Sequence, residues 1–103
     1  MRNPLLVLTA AAMLSPWASA QDERALQVQS LAATCANCHG TNGRAVEGAS
    51  VPGLAGMPAA YITEQMKAFK AGTRPATVMH QLAKGFSDAQ IDTIAAYFAA
   101  QKR

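Results

Sequence analysis

Two thiols and an imidazole within five residues are the side chains of this sequence best placed to do chemistry. In Cys35-Ala36-Asn37-Cys38-His39 the cysteines stand three apart and the histidine follows directly. On one helical turn, positions three and four apart share a face, so both sulfurs and the ring can address a single object. A C-x-x-C-H run is the spacing of covalent haem attachment. Cys35 and Cys38 would form thioethers with two vinyl groups at one edge of a porphyrin. His39, four residues beyond Cys35, would reach under the ring to the iron. Three other chemistries compete. A dithiol redox pair normally sits on a strand–helix unit, and no segment here alternates as a strand would. Zinc would need a second ligand pair, yet His80 is the one other histidine and no further cysteine exists. An exported chain could close a plain disulfide, which gives the adjacent histidine no purpose. One haem c, held through Cys35 and Cys38, is the reading that uses all three groups.

A second axial ligand would come from Met57, Met66, Met79 or His80. Met66 shares an apolar helical face with Ile62 and Phe69 and reads as core, and Met57 lies against Pro58 at a helix start. Met79 follows an irregular, proline-containing stretch, where an inward-pointing residue could approach a haem from the side opposite His39. His80 is its rival, and neighbours on a helix point about 100° apart, so only one of the two can face an iron.

The elements that must hold these groups are helical. The first helix is expected from about Asp22 to Cys38, with Asp22 as N-cap and Val28, Leu31, Ala32 and Cys35 on one face. Residues 40–56 hold five of the seven glycines, with Asn42, Ser50 and Pro52, and show no periodicity. They read as a long ordered loop wrapped over a cofactor. The next helix starts near Pro58 and stops at Gly72. A short helix runs from Thr77 to Lys84. The last helix opens on the capping box Ser87-Asp88-Ala89-Gln90 and buries Ile91, Ile94, Ala95 and Phe98. The fold class is all-α, about four helices and a glycine-rich loop around one covalent haem.

The chain has 103 residues, enough for one domain. Met1-Arg2, an apolar run from Leu5 to Leu14 and Ala18-Ser19-Ala20 have the anatomy of a secretory signal peptide over 1–20. The run is about half the roughly 20 residues of a membrane span. Cleavage before Gln21 would leave a domain over 21–103 in the periplasm, with no membrane span, no tryptophan and a formal charge lowered from +3 to +2. A domain this small often needs a staple, which a porphyrin would supply. No basic stripe with interleaved aromatics is present, so nucleic acid is not an expected partner.

Beyond these readings, the sequence resembles the class I cytochromes c over Leu26 to Gln101. The resemblance rests on Cys35-Ala36-Asn37-Cys38-His39-Gly40, Pro52-Gly53-Leu54-Ala55-Gly56, Thr77-Val78-Met79 and Ala95-Ala96-Tyr97-Phe98. The run Thr77 to Phe86 is most similar to the cytochrome subunit of flavocytochrome c sulfide dehydrogenase. The resemblance implies His39 and Met79 as axial ligands, the Pro52 carbonyl as acceptor of the second His39 N–H, and Leu54 packed on the haem. It implies crossing first and last helices, with Phe98 or Tyr97 near the crossing and Ala25 or Ala32 in place of a glycine. It also implies a one-electron carrier that is not itself an enzyme, accepting electrons from a redox protein such as a sulfide-oxidising flavoprotein. A free soluble monohaem carrier feeding a terminal oxidase or reductase is the alternative. Outside that class stand a haem enzyme or gas binder with an open iron position, and a dithiol oxidoreductase.

Overall fold

A computed structural model describes residues 16–103. Residues 1–15 of the expected leader lie outside the described residues, and Pro16–Ala20 form the start of a helix. Among the described residues five helices follow one another: α1 (Pro16–Ala33), α2 (Ala36–His39), α3 (Ala59–Ala71), α4 (Met79–Lys84) and α5 (Asp88–Ala99). A 3-10 turn, Thr41–Gly43, follows α2. No strand occurs among the described residues. The all-α class is therefore the observed one.

The last helix is the hub. Ile91, Ile94, Ala95 and Phe98 recur at the three-four spacing of one helical face and are all buried. Phe98, Ile91 and Ile94 are the largest fully buried side chains among the described residues. α3 packs on both α4 and α5, bringing in Ile62 and Met66, while α4 contributes Ala83 and α1 contributes Ala32. α1 packs on α5 through its C-terminal half, because residues 16–27 are exposed throughout. The first and last helices, expected to cross, are in contact. Of the two alanines named for that contact, Ala32 is buried in the core and Ala25 is exposed.

The helix boundaries show where local chemistry rules. The Gln90 N–H donates to Ser87 Oγ at 3.1 Å, and the Ser87 N–H donates to Gln90 Oε1 at 2.9 Å. This reciprocal cap satisfies two of the otherwise orphaned amides of α5. Ser87→Ala should therefore cost about 1 kcal/mol. A thermal melt of the intact protein should show the midpoint lowered by about 4–8 °C. At its other end α3 closes on Gly72, with the Thr73 N–H donating to the Ala68 carbonyl at 3.0 Å and the Gly72 N–H to Phe69 at 3.1 Å. α4 starts at Met79, two residues later than expected from Thr77, because Val78 keeps a non-helical φ of −135°.

The largest departure is at the first helix, which was expected to run unbroken from Asp22 to Cys38. Asp22 lies inside α1, not at its cap, and the helix ends at Ala33. Thr34 turns its hydroxyl back to donate to the Leu31 carbonyl at 2.8 Å. The Cys35 N–H takes the Ala32 carbonyl at 3.1 Å, a tighter three-residue step. α2 then restarts, with the His39 N–H donating to the Cys35 carbonyl at 3.0 Å. The break falls at the first cysteine, so the pentapeptide rides on its own short turn and not on the end of a long rod.

Candidate functional site

Cys35 caps the N-terminus of α2, Cys38 lies within it, and His39 is its last residue. Cys38 is exposed and Cys35 half-buried, and both thiols are free. Burial pushes the Cys35 thiol above its ordinary range, opposed in part by its contact with the Thr34 hydroxyl. Disulfide exchange works through a thiolate, and reactive C-x-x-C pairs depress the thiol instead. The Cys35 thiol is shifted the opposite way, by burial.

His39 is the one polar side chain that is buried among the described residues. Its Nδ1 lies 2.7 Å from the Pro52 carbonyl oxygen. A carbonyl can only accept, so Nδ1 must carry the proton and donate it. The second ring nitrogen, Nε2, is then left with a lone pair in neutral imidazole. This is the tautomer a metal-binding histidine needs, fixed by a partner thirteen residues downstream.

The chain returns to His39 by way of glycines. Gly40, with φ +86°, has no room for a side chain: a Cβ there would sit 1.8 Å from the Arg44 carbonyl oxygen. That fold-back lets the loop double under α2. Gly43 then presents its carbonyl to two amides, Leu54 N at 2.7 Å and Ala55 N at 3.1 Å. The neck so formed carries Pro52 to the imidazole. The loop is also tied to the end of α5 and to the tail beyond it: Gly56 N–H donates to the Phe98 carbonyl at 2.9 Å, and Arg44 Nε to the Lys102 carbonyl at 2.8 Å. The long ordered loop read from the sequence is present, closed by backbone groups that no side-chain pattern displays.

The structure therefore brings His39 and Pro52 together directly and ties Leu54 to the same loop through Gly43. Leu54, Met57 and Met79 are half-buried against the edge of the core. Met79 opens α4, and the Gln81 and Leu82 amides that hold that first turn both bond the Val78 carbonyl, at 3.0 and 3.1 Å. Met66 is buried within the core, as its helical spacing suggested. Sequence reasoning missed the hydrogen bond from the Tyr97 hydroxyl to Asn42 Oδ1, 2.6 Å long and spanning 55 residues. The signals for it were an Asn-Gly pair in a loop and a tyrosine on a buried helix, whose hydroxyl must find a partner.

The residues present fit a porphyrin. Val78 and Leu82, on either side of Met79, remain 54% and 52% exposed although apolar. Leu54 and Met57 are only half covered. Nδ1 of His80 is enclosed without a hydrogen-bond partner among the described residues, a costly state for a polar atom. A large, mostly apolar ring with polar substituents would cover the first group and could relieve the second.

Comparison with known proteins agrees. The cytochrome c family model, described as "Cytochrome c", matches residues 25–102. The chain is 36% identical to a thiosulfate dehydrogenase electron acceptor of Thiomonas intermedia over 99% of its length and 45% of that protein. It is 39% identical to cytochrome c-554(548) of Halomonas halodenitrificans, covering 67% of this chain and 86% of the relative. It is 40% identical to the cytochrome subunit of sulfide dehydrogenase of Chlorobaculum tepidum over 66% of this chain and 60% of the relative. The chain spans less than half the length of the Thiomonas protein and of a second thiosulfate dehydrogenase electron acceptor, from Stutzerimonas stutzeri. With a family match over most of the sequence, a C-x-x-C-H turn and a buried imidazole fixed by a backbone carbonyl, the chain belongs to the cytochrome c family.

Proposed function

We propose that this chain is a periplasmic one-electron carrier with a single haem c. Cys35 and Cys38 hold the haem covalently, and His39 and Met79 are its axial ligands. The observation that carries the reading is the 2.7 Å hydrogen bond from His39 Nδ1 to the Pro52 carbonyl, which leaves Nε2 with an uncommitted lone pair on the same short turn as two free thiols. Haem, when bound, supplies an iron that changes charge by one electron. The protein's share is to fix both donors, so that little moves when the charge changes. The His39 ring is held by Pro52, and the Met79 thioether favours the lower charge state. Leu54 and the apolar side chains of α4 limit water at the ring. Residues 1–20 act as the export leader and 21–103 as the working domain, a reading supported by the basic start, the apolar run and Ala18-Ser19-Ala20. Among the described residues no helix is long and apolar enough to cross a membrane.

The electron donor in this proposal is a dehydrogenase of a reduced sulfur compound. Two relatives are named for thiosulfate dehydrogenase and one for sulfide dehydrogenase. The likeness of Thr77–Phe86 to a flavocytochrome subunit favours a sulfide-oxidising flavoprotein. A free soluble carrier feeding a terminal oxidase or reductase is the second reading, favoured by the 86% coverage of the short Halomonas cytochrome. Size-exclusion of native periplasm at low salt, followed by haem and flavin absorbance together, separates them. Co-elution with flavin in a peak much larger than this chain is the expected result. A lone haem peak at monomer size, reduced by no sulfide- or thiosulfate-oxidising fraction, would overturn the sulfur assignment in favour of the free carrier.

A further inference from the structure

We infer that Tyr97 and Asn42 form a latch that positions the imidazole of His39, so that the last helix tunes the iron through a relay of three hydrogen bonds that ends on that ring. The inference rests on the reading of His39 as an axial ligand. Asn42 has φ +54° and ψ +26°, the one non-glycine residue with positive φ among those described. An asparagine tolerates that left-handed turn better than most residues, and something must still hold it there. The Tyr97 hydroxyl does so, donating to Asn42 Oδ1 at 2.6 Å from a residue 55 positions away. The next residue, Gly43, is pressed against the same helix: a Cβ on it would lie 2.7 Å from Phe98 Cδ1.

The turn so fixed aims the Gly43 carbonyl at the amides of Leu54 and Ala55. Pro52 precedes Leu54 by two residues, and its carbonyl is the acceptor for His39 Nδ1. Tyr97, Asn42, Gly43, Leu54, Pro52 and His39 are thus joined by short hydrogen bonds or short lengths of chain. Both ends of the segment that carries the Pro52 carbonyl are anchored to α5, the most deeply buried helix, at Asn42–Tyr97 and at Gly56–Phe98. The distance that matters is His39 Nδ1 to Pro52 O. A firm N–H···O bond there makes the imidazole a stronger donor and favours the oxidised iron, as the outer partners of metal-bound histidines do. Tyr97 is accordingly a positioning residue: it touches neither imidazole nor iron, yet its hydroxyl sets how firmly the imidazole is held.

Tyr97→Phe removes one oxygen and leaves the ring packing in place. Asn42→Gly deletes the acceptor and keeps the left-handed turn accessible, whereas Asn42→Asp restores an acceptor. In the reduced holoprotein, the His39 Nδ1 proton should exchange with solvent about five- to tenfold faster in Tyr97→Phe and in Asn42→Gly, read by proton–nitrogen NMR. The midpoint potential should rise in both. The double variant should show no more than either single one, and Asn42→Asp should keep the slow exchange. A fall in melting temperature with exchange and potential unchanged would overturn the latch and leave Tyr97 a packing residue. Wild-type protein without a covalently retained haem, or with the His39 ring absent from the iron-shifted resonances of its oxidised form, would instead overturn the axial-ligand reading beneath it.

Discussion

Replacing Cys35 and Cys38 together by alanine should produce a chain that neither stains for haem after denaturation nor melts cooperatively. The reason is the composition of the core. Of the nine hydrophobic residues that are buried among those described, Ala32, Ala55, Ala83 and Ala95 are alanines. The bulk comes from Ile62, Met66, Ile91, Ile94 and Phe98. Leu54, Met57 and Met79 are half covered, and Val78 and Leu82 more than half exposed. A domain of this size has little margin even when all its apolar side chains are covered. Without the thioether bonds the ring is no longer a permanent part of the core, and the side chains it would cover must face water. In haem-free double variant, far-ultraviolet circular dichroism should show most of the helical signal gone and no sigmoidal transition. α5, with its reciprocal cap, is the segment expected to retain residual helix. A haem-free double variant that stays helical and unfolds in one sharp step would show that the protein side chains alone make a sufficient core.

How far the fold and the site could be read from the sequence depends on the range of the interactions involved. α5 was legible because its cap and its buried face are both local: Ser87 with Gln90, then Ile91, Ile94, Ala95 and Phe98 at helical spacing. The pentapeptide was legible because spacing alone constrains what two thiols and an imidazole can reach. The break at Thr34–Cys35 was not, since it depends on a hydroxyl turning back to its own helix, an option open to any threonine and taken at few. The loop neck was hidden for a different reason. The Gly43 carbonyl is a main-chain group, and its two partners lie eleven and twelve residues away. The hydrogen bond from His39 to Pro52 was reached through family resemblance, because a backbone acceptor has no side-chain signature. The Tyr97–Asn42 pair, 55 residues apart, could be anticipated only as a tyrosine in need of a partner.

Met79→Ala carries the second large expectation, and its spectrum should change far more than its fold. Met79 stands at the first position of α4, half-buried, and the turn it begins is set by the Val78 carbonyl, not by its own side chain. Ala83, fully buried one turn later, keeps α4 seated on the core. The helical signal should therefore persist. Under the proposed ligation, loss of the thioether removes the ligand that favours the ferrous state. The weak far-red band of the ferric protein should disappear, and the ferrous protein should bind carbon monoxide, which the parent should not. The midpoint potential should fall by at least about 60 mV, the equivalent of one factor of ten in preference for Fe(II) in a one-electron couple. His80 gives the contrary outcome its shape. Were His80 the ligand, Met79→Ala would leave the far-red region and carbon monoxide exclusion as in the parent, and His80→Ala would open the iron instead. The neighbouring positions cannot share the role, because a helix turns them about 100° apart. Ready carbon monoxide binding by the unmodified ferrous protein would exclude both residues at once, and would make the chain a gas binder or haem enzyme with an open coordination position.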